Sequence, residues 1–365
     1  MKIICTVENL KTAIGAAERF TSRHITLPIL SYLLLSAEQG RILISATNLE
    51  MGIKCEISGK IQKPGVAAIP AKALSQILQT IKDDNITLDS KQNQLLLHTQ
   101  SSDITLIGLN PDDFPKIPEI KKENQLTVGA SDFTFSLQQI IPAAATSDLK
   151  PELSGVLFAA SPGVLTMATT DSYRLAEKIL NQDTGAAEKN ECIIPARTIQ
   201  EVIRVISGSE GDIKISSGER QIVFEWGSTT IISRLIDGNF PPYKNLIPKT
   251  HEATIVVNRD DLLRKVRLAS VFSTRLNDVT LQFSPNQLEV ATINSETGQI
   301  TSRLAAKVKG QAGVVMFNYR YLLDGLEAVG GENAVLNLNG SSGPALIQNT
   351  EDASFLYLIM PIRST

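Results

Sequence analysis

The amino-acid sequence predicts an α+β protein in which one unit, two helices on mainly antiparallel sheet, is used three times. Three observations predict it. Landmark segments return at a near-constant step along the 365-residue chain. Two amphipathic helical patterns fall in each third. The strand segments alternate apolar and polar residues and end at Gly, Asn or Ser turns, without the long helical crossovers that parallel pairing requires.

In the first third, Leu10, Ile14 and Ala17 stand at helical spacing, and Arg41 to Ala46 reads as a strand running into the turn Ala46-Thr47-Asn48-Leu49-Glu50. Ile69-Pro70-Ala71-Lys72 opens a second helix carrying Leu74, Ile77, Leu78 and Ile81, with Pro70 expected at the first helical position. Asp113-Phe114-Pro115 leads into a linker-like tail ending at Pro118.

The second third repeats the order. Phe133, Leu137, Ile140 and Ala144 mark its first helix, Thr169-Thr170-Asp171-Ser172-Tyr173 its strand-to-turn step, and Ile194-Pro195-Ala196-Arg197 opens its second helix over Ile199, Val202, Ile203 and Ile206. Asp212 to Ser216 and Gln221 to Glu225 read as strands, and Asn239-Phe240-Pro241 begins the tail that ends at Pro248. In the last third come the strand Thr254 to Val257, a helix with Leu262, Val266 and Ala269, the strand Gln287 to Ala291, and the turn Thr292-Ile293-Asn294-Ser295-Glu296. Phe317-Asn318-Tyr319-Arg320 then opens a helix over Leu322, Leu323, Leu326 and Val329, and Met360-Pro361 takes the place of the tails. From Pro70 to Pro195 is 125 positions and from Pro195 to Asn318 is 123. The implied domains are 1–124, 125–249 and 250–365, each long enough for its own core.

Composition narrows the function. Hydrophobic residues at 42% and charged residues at 20% are ordinary for a soluble globular protein. The longest apolar run, Phe355 to Ile362, is far short of the ~20 residues that cross a bilayer, and Met1-Lys2-Ile3-Ile4-Cys5 meets Glu8 before a signal-peptide core can form. Cys5, Cys55 and Cys192 form no CxxC pair, so a reducing, cytoplasmic setting is expected, with no disulfide framework and no zinc knuckle. His24, His98 and His251 are too scattered for a metal cluster, and no cofactor is expected. A net charge of −3 excludes a broadly basic nucleic-acid binder; any contact with DNA must be local and weak.

Catalytic signatures are missing. The sequence contains no phosphate-binding loop, dinucleotide fingerprint, HExxH or GxSxG. Ser147-Asp148-Leu149-Lys150 fits SxxK but has no SDN or KTG partner. The acidic pairs Asp83-Asp84, Asp112-Asp113 and Asp260-Asp261 lie beside turns or helix starts, where carboxylates serve as caps.

Four segments carry a resemblance: Thr26-Leu27-Pro28-Ile29-Leu30, Thr170-Asp171-Ser172-Tyr173-Arg174-Leu175-Ala176, Phe240-Pro241-Pro242-Tyr243-Lys244-Asn245-Leu246-Ile247-Pro248, and Tyr357-Leu358-Ile359-Met360-Pro361-Ile362-Arg363. In order and over the whole length, they resemble the bacterial replicative sliding clamps, the beta subunits of DNA polymerase III. The resemblance implies three clamp domains per chain and a head-to-tail dimeric ring around duplex DNA, the first domain of one copy meeting the third of the other. It implies a non-catalytic processivity factor that slides freely and tethers the replicative polymerase, the clamp loader and other polymerases and repair proteins. The alternatives are a peptide-binding repeat adaptor that does not encircle DNA, or an enzyme with an unrecognised carboxylate site; a dimer retained on circular DNA but slipping from linear DNA separates these readings.

Lys72, Arg197 and Arg320 share one position, in the first turn of each second helix, where a cation opposes the helix dipole. They are expected to face phosphates, joined by Arg264, Lys265 and Arg267, whereas Asp132 to Ala145 carries no basic residue. The resemblance maps DNA-contacting loops onto Arg23 or His24 and onto Ser147 to Glu152, including Lys150; Lys150-Pro151-Glu152-Leu153 lacks the aromatic pair of some relatives. It maps an apolar peptide pocket onto Leu153, Thr170, Ser172, Tyr173, Arg174, Leu175, Pro241, Asn245, Leu246, Leu358, Ile359, Met360, Pro361, Ile362 and Arg363. An adaptable Met and aliphatic walls suit varied apolar side chains, with Arg174 and Arg363 positioning the peptide and alternate faces of the last strand serving core and pocket. Asn245 stands where relatives often carry a basic residue, and Ser364-Thr365 extend beyond the usual end.

Overall fold

Each helical pattern in the sequence becomes a helix in the computed structural model, which describes residues 1–118, 125–147, 149–181 and 190–363. These are α1 (Val7–Glu18), α2 (Ala71–Thr80), α3 (Ala130–Ile140), α4 (Ala196–Ile206), α5 (Arg259–Ser270) and α6 (Tyr319–Ala328), two per repeat. Their buried faces are the apolar positions of the sequence: Leu10, Ile14 and Ala17 on α1, Leu262, Val266 and Ala269 on α5, Leu322 and Leu326 on α6. The Thr6 hydroxyl, the Asn258 amide oxygen and the Asn318 amide oxygen accept backbone N–H bonds at the starts of α1, α5 and α6.

Two boundaries differ from expectation. Pro70 is the residue before α2, closing the strand Gly65–Pro70, and Pro195 likewise ends the strand Asn190–Pro195, so each helix starts one residue later. In both, proline ends a strand where an extended residue is needed and leaves the following N–H groups to the helix. Helix α3 stops at Ile140 instead of continuing to Ala144, because Pro142 cannot donate to the helical ladder; a 3₁₀ turn, Ile141–Ala143, follows.

Among the described residues every strand ladder is antiparallel. The chain falls into two compact units, Met1–Ser131 with Glu201–Leu235, and Asp132–Gln200 with the chain from Ile236 onward. The first unit contains a five-stranded and an eight-stranded sheet, with α1 and α2 packed together. In the eight-stranded sheet Thr229–Arg234 pairs with Met51–Ile57, so the first and second repeats share one sheet. The second unit contains a twelve-stranded sheet in which Arg174–Asn181 pairs with Phe355–Ile359, joining the second and third repeats in the same way, with α5 and α6 packed on one side.

The three cysteines are free thiols. Burial pushes Cys5 and Cys55 up to about 11 and Cys192 up to about 12, so all stay protonated and inert near neutral pH.

Candidate functional site

The site begins with a turn that the repeat makes twice. After the strand Val164–Thr170, the Asp171 carboxylate accepts the N–H groups of Tyr173 and Arg174 at 2.9 and 3.0 Å, and the Thr170 hydroxyl donates to the Arg174 carbonyl at 2.7 Å. Ser172 is thereby held at φ +79°. In the first repeat Asn48 accepts from Glu50 and Met51, Thr47 donates to the Met51 carbonyl, and Leu49 sits at φ +76°. Side-chain oxygens substitute for backbone partners, which is why Thr-Asn and Thr-Asp recur at the turn. In the second repeat the turn leaves Tyr173 62% exposed and starts the next strand with Arg174 and Leu175 on opposite faces.

On the Leu175 face an apolar surface forms. Leu175 lies across the ladder from Leu358, and both pack with Leu157, Ala168, Leu346 and Tyr243. Around this buried cluster stand the half-exposed Phe240, Ile247, Leu356 and Met360. Leu246 projects into solvent at its margin. The Met360 N–H donates to the Tyr173 carbonyl at 2.8 Å and the Ile362 N–H to the Met316 carbonyl at 2.8 Å, tying Met360 to the turn and Ile362 to the strand Gly313–Asn318. A cleft of about 410 Å³ runs alongside, between Phe240–Lys244 and the strands bearing Leu157, Ala159 and Thr166.

Tyr243 secures the wall. Its ring meets Phe240 edge-on at 5.9 Å, and its phenol donates to the Glu177 carboxylate. Burial, followed by Glu177, raises the phenol above its ordinary pKa, so it remains a donor.

On the other face Arg174 is committed elsewhere. Its guanidinium pairs with Asp171 at 2.9 Å and with Asp324, and stacks 4.2 Å from the Tyr321 ring centre. Burial works against its charge, but Tyr357, Asp324 and Asp171 outweigh it and hold the pKa above the usual arginine value. Arg174 is thus a strut between the second and third repeats, on the face of its strand opposite Leu175. Ile359 is wholly buried, paired with Arg174 and Ala345, on the face it shares with Phe355 and Tyr357. Strand alternation sends Leu358 and Met360 to one side and Ile359 to the other.

Of the other residues expected at the pocket, Thr170 and Leu153 are buried, Leu153 within the 3₁₀ turn Pro151–Leu153, and neither belongs to the buried cluster. Ser172, Asn245 and Arg363 are exposed, and Pro241, Pro361 and Ile362 half-buried. Ser364 and Thr365 lie outside the described residues, as does Asp148. Sequence reasoning missed Tyr243, Glu177, Phe240, Ile247, Leu157 and Leu346. The first four sit in or beside quoted motifs, and the aromatic pair flanking Pro241-Pro242 was the available signal.

The cations expected to meet phosphate divide into two groups. Lys72, Arg197 and Arg320 occupy the second positions of α2, α4 and α6 respectively, all exposed and, among the described residues, without a carboxylate partner. Arg320 lies beside the Tyr319 ring at 5.8 Å. Arg23 and Lys150 are exposed on loops and have no ion-pair partner among the described residues, and the His24 ring bonds Thr26 at 2.9 Å. Lys265 is half-buried, whereas Arg264 is paired with Asp261 and Arg267 with Glu327 at 2.7 Å. Those two charges are largely offset. Among the described residues no group of His, Cys, Asp and Glu is placed to hold a metal ion.

Comparison with known proteins follows the same plan along the chain. Family models of the DNA polymerase III beta subunit match in order: the N-terminal domain at residues 1–118, the central domain at 127–242 and the C-terminal domain at 244–363. The beta sliding clamps of Synechococcus elongatus and Synechocystis are 28% and 29% identical, each over 100% of this chain and 99% of the relative. Crystal structures of the sliding clamps (DNA polymerase III subunit beta) of Pseudomonas aeruginosa and Bartonella birtlesii, both bound to griselimycin, superpose with TM-scores of 0.95 and 0.94 at 26% and 28% identity, covering 100% of both chains in each case.

Proposed function

The chain belongs to the DNA polymerase III beta subunit family, the sliding clamps of DNA replication, and from that premise we propose that two copies close head to tail into a ring around duplex DNA. The ring slides without sequence preference and tethers the replicative polymerase, the clamp loader and other clamp-binding proteins. It performs no bond-making chemistry and works in the cytoplasm. Its domains are 1–124, 125–249 and 250–365.

The observation that carries this reading is the recurrence of one unpaired cation at the second position of α2, α4 and α6, in a chain whose net charge is −3. Helix stability does not favour a cation there. Phosphate attraction does, and being non-specific it permits sliding. Arg23 or His24, Lys150 and Lys265 extend the same role, with lesser parts for Arg264 and Arg267.

Two open sheet edges support closure. Among the described residues the strand Asp103–Ile107 is paired only with Gln94–His98, and Ile107 is 74% exposed; the stretch Gln299–Arg303 is paired there only with Glu289–Ile293. An unpaired edge is a template for another chain. One edge lies in the first repeat and one in the third, so joining edge to edge between copies is heterologous, the kind of contact that a head-to-tail ring uses.

The apolar surface around Leu175, Leu358 and Met360 is the peptide pocket, with Tyr173, Leu246, Pro361 and Ile362 at its rim. Few buried polar groups and a flexible Met suit a shared site for several apolar sequences. The test is topological: protein loaded on circular plasmid should stay through gel filtration and leave once a single cut linearises the DNA. Equal retention on linear DNA refutes the ring.

A further inference from the structure

The wall of the pocket formed by Phe240 to Ile247 is weakly tied by its backbone. Its hydrogen bonds are local: Tyr243 N–H to the Pro241 carbonyl at 2.7 Å, Asn245 N–H to Pro242 at 3.3 Å and Ile247 N–H to Lys244 at 3.4 Å. Pro241 and Pro242 have no N–H to give. No described strand pairing includes this segment. Side chains hold it to the sheet: Tyr243, 4% exposed and part of the buried cluster, Phe240 and Ile247 packed against that cluster, and, as the one polar tie among these, the bond from the Tyr243 phenol to Glu177.

Glu177 lies two residues beyond Leu175, hence on the same face of the strand, and opposite Leu356. It is a buried carboxylate at the edge of an apolar cluster. Such a group is costly to bury without a partner, so its presence specifies where the phenol must sit.

We propose that Glu177 and Tyr243 are positioning residues of the peptide pocket, their hydrogen bond docking the Phe240–Ile247 wall onto the Leu175–Leu358 face so that the pocket is formed before its ligand arrives. The inference rests on the pocket reading above. A wall released from the sheet spends part of its time away from the binding arrangement, and apparent affinity falls by the fraction lost.

Griselimycin, which the two relatives bind, is the probe, measured by calorimetry at 25 °C on the full chain, with Met360→Ala as the marker that the probe occupies this pocket. Tyr243→Phe should weaken binding at least tenfold. Glu177→Gln should bind within about twofold of the wild type, since the amide oxygen still accepts the phenol proton. The double variant Tyr243→Phe, Glu177→Leu removes the stranded carboxylate and should regain thermal stability without regaining affinity. Wild-type affinity in Tyr243→Phe overturns the proposal. So does affinity that returns together with stability in the double variant, because the pair would then act only on folding. If the wild-type chain fails to bind, or Met360→Ala binds as the wild type does, the pocket reading itself falls and this inference with it.

Discussion

Leu175 and Leu358 face each other across the antiparallel ladder that joins the second repeat to the third, and the apolar surface exists because both project from the side of the sheet on which Tyr243 lies. One strand comes from the middle of the chain and the other from its end, so neither repeat builds this surface alone.

The first prediction concerns Met360, which packs half-exposed against this pair. Truncating it removes contact area without opening the buried cluster, and Pro361→Ala loosens the rim. The double variant Met360→Ala, Pro361→Ala should remain a dimer by sedimentation and lose ~2 kcal/mol of peptide affinity, about thirtyfold. Undiminished affinity sinks the pocket assignment.

Much of this was legible beforehand, and the limits have physical causes. Helix faces such as Leu10, Ile14 and Ala17 follow from a period that any amphipathic helix shows. The sharing of sheets between repeats was not legible. Arg174–Asn181 and Phe355–Ile359 are far apart in sequence, and edge-to-edge pairing leaves no local pattern. Leu346 was invisible for the same reason, since its strand Ala345–Asn349 is a short apolar run that says nothing of which strand it will pair with. The ion pairs of Arg174 were not legible either, because a motif gives a residue but not the face it occupies; Asp171, three residues earlier, and Asp324, in the third repeat, are its partners.

Arg174 gives the second prediction. Its side chain is only 10% exposed and joins Asp171, Asp324 and Tyr321. Arg174→Ala would leave two carboxylates without their counter-charge and empty the stacked position, a loss of ~3 kcal/mol in denaturant unfolding. Arg174→Lys should recover only part, since an ammonium ion neither forks to two carboxylates nor stacks flat. A loss below ~1 kcal/mol in the alanine variant would contradict the strut.

Ile107 supplies the third. An aliphatic side chain 74% exposed at an unpaired edge is a liability for a monomer. Ile107→Asp should convert dimer to monomer in sedimentation velocity, with helix and strand content unchanged by circular dichroism. A dimer of undiminished strength places the interface elsewhere.

The fourth tests acid sensitivity at Lys178 and Asp352, 2.8 Å apart. Burial acts to raise the Asp352 carboxyl, but the Lys178 and Ser354 bonds outweigh it and the pKa is lowered. A depressed acid contributes stability above its unfolded pKa, about 3.9, and loses it as pH falls through the folded value. Asp352→Asn should therefore unfold more readily than the wild type at pH 7, with the gap closing below about pH 4. A gap constant down to pH 2 would show that the pair is not its source.

The last prediction weighs the repeated cations against the paired ones. Lys72→Glu, Arg197→Glu and Arg320→Glu together remove three charges that no described carboxylate offsets and place three carboxylates near helix N-termini, where the dipole accepts them. Folding should therefore be unharmed while retention on circular DNA falls. The ring of two copies carries six such cations, so if each neutralises one phosphate the slope of log affinity against log salt should decrease by about 5. Arg267→Glu, made separately, breaks a pair with Glu327 that already offsets its charge, so it should change that slope by less than about 1. Equal effects from the triple variant and from Arg267→Glu would mean that position on the helix is irrelevant, and that DNA responds only to the net charge of the whole chain.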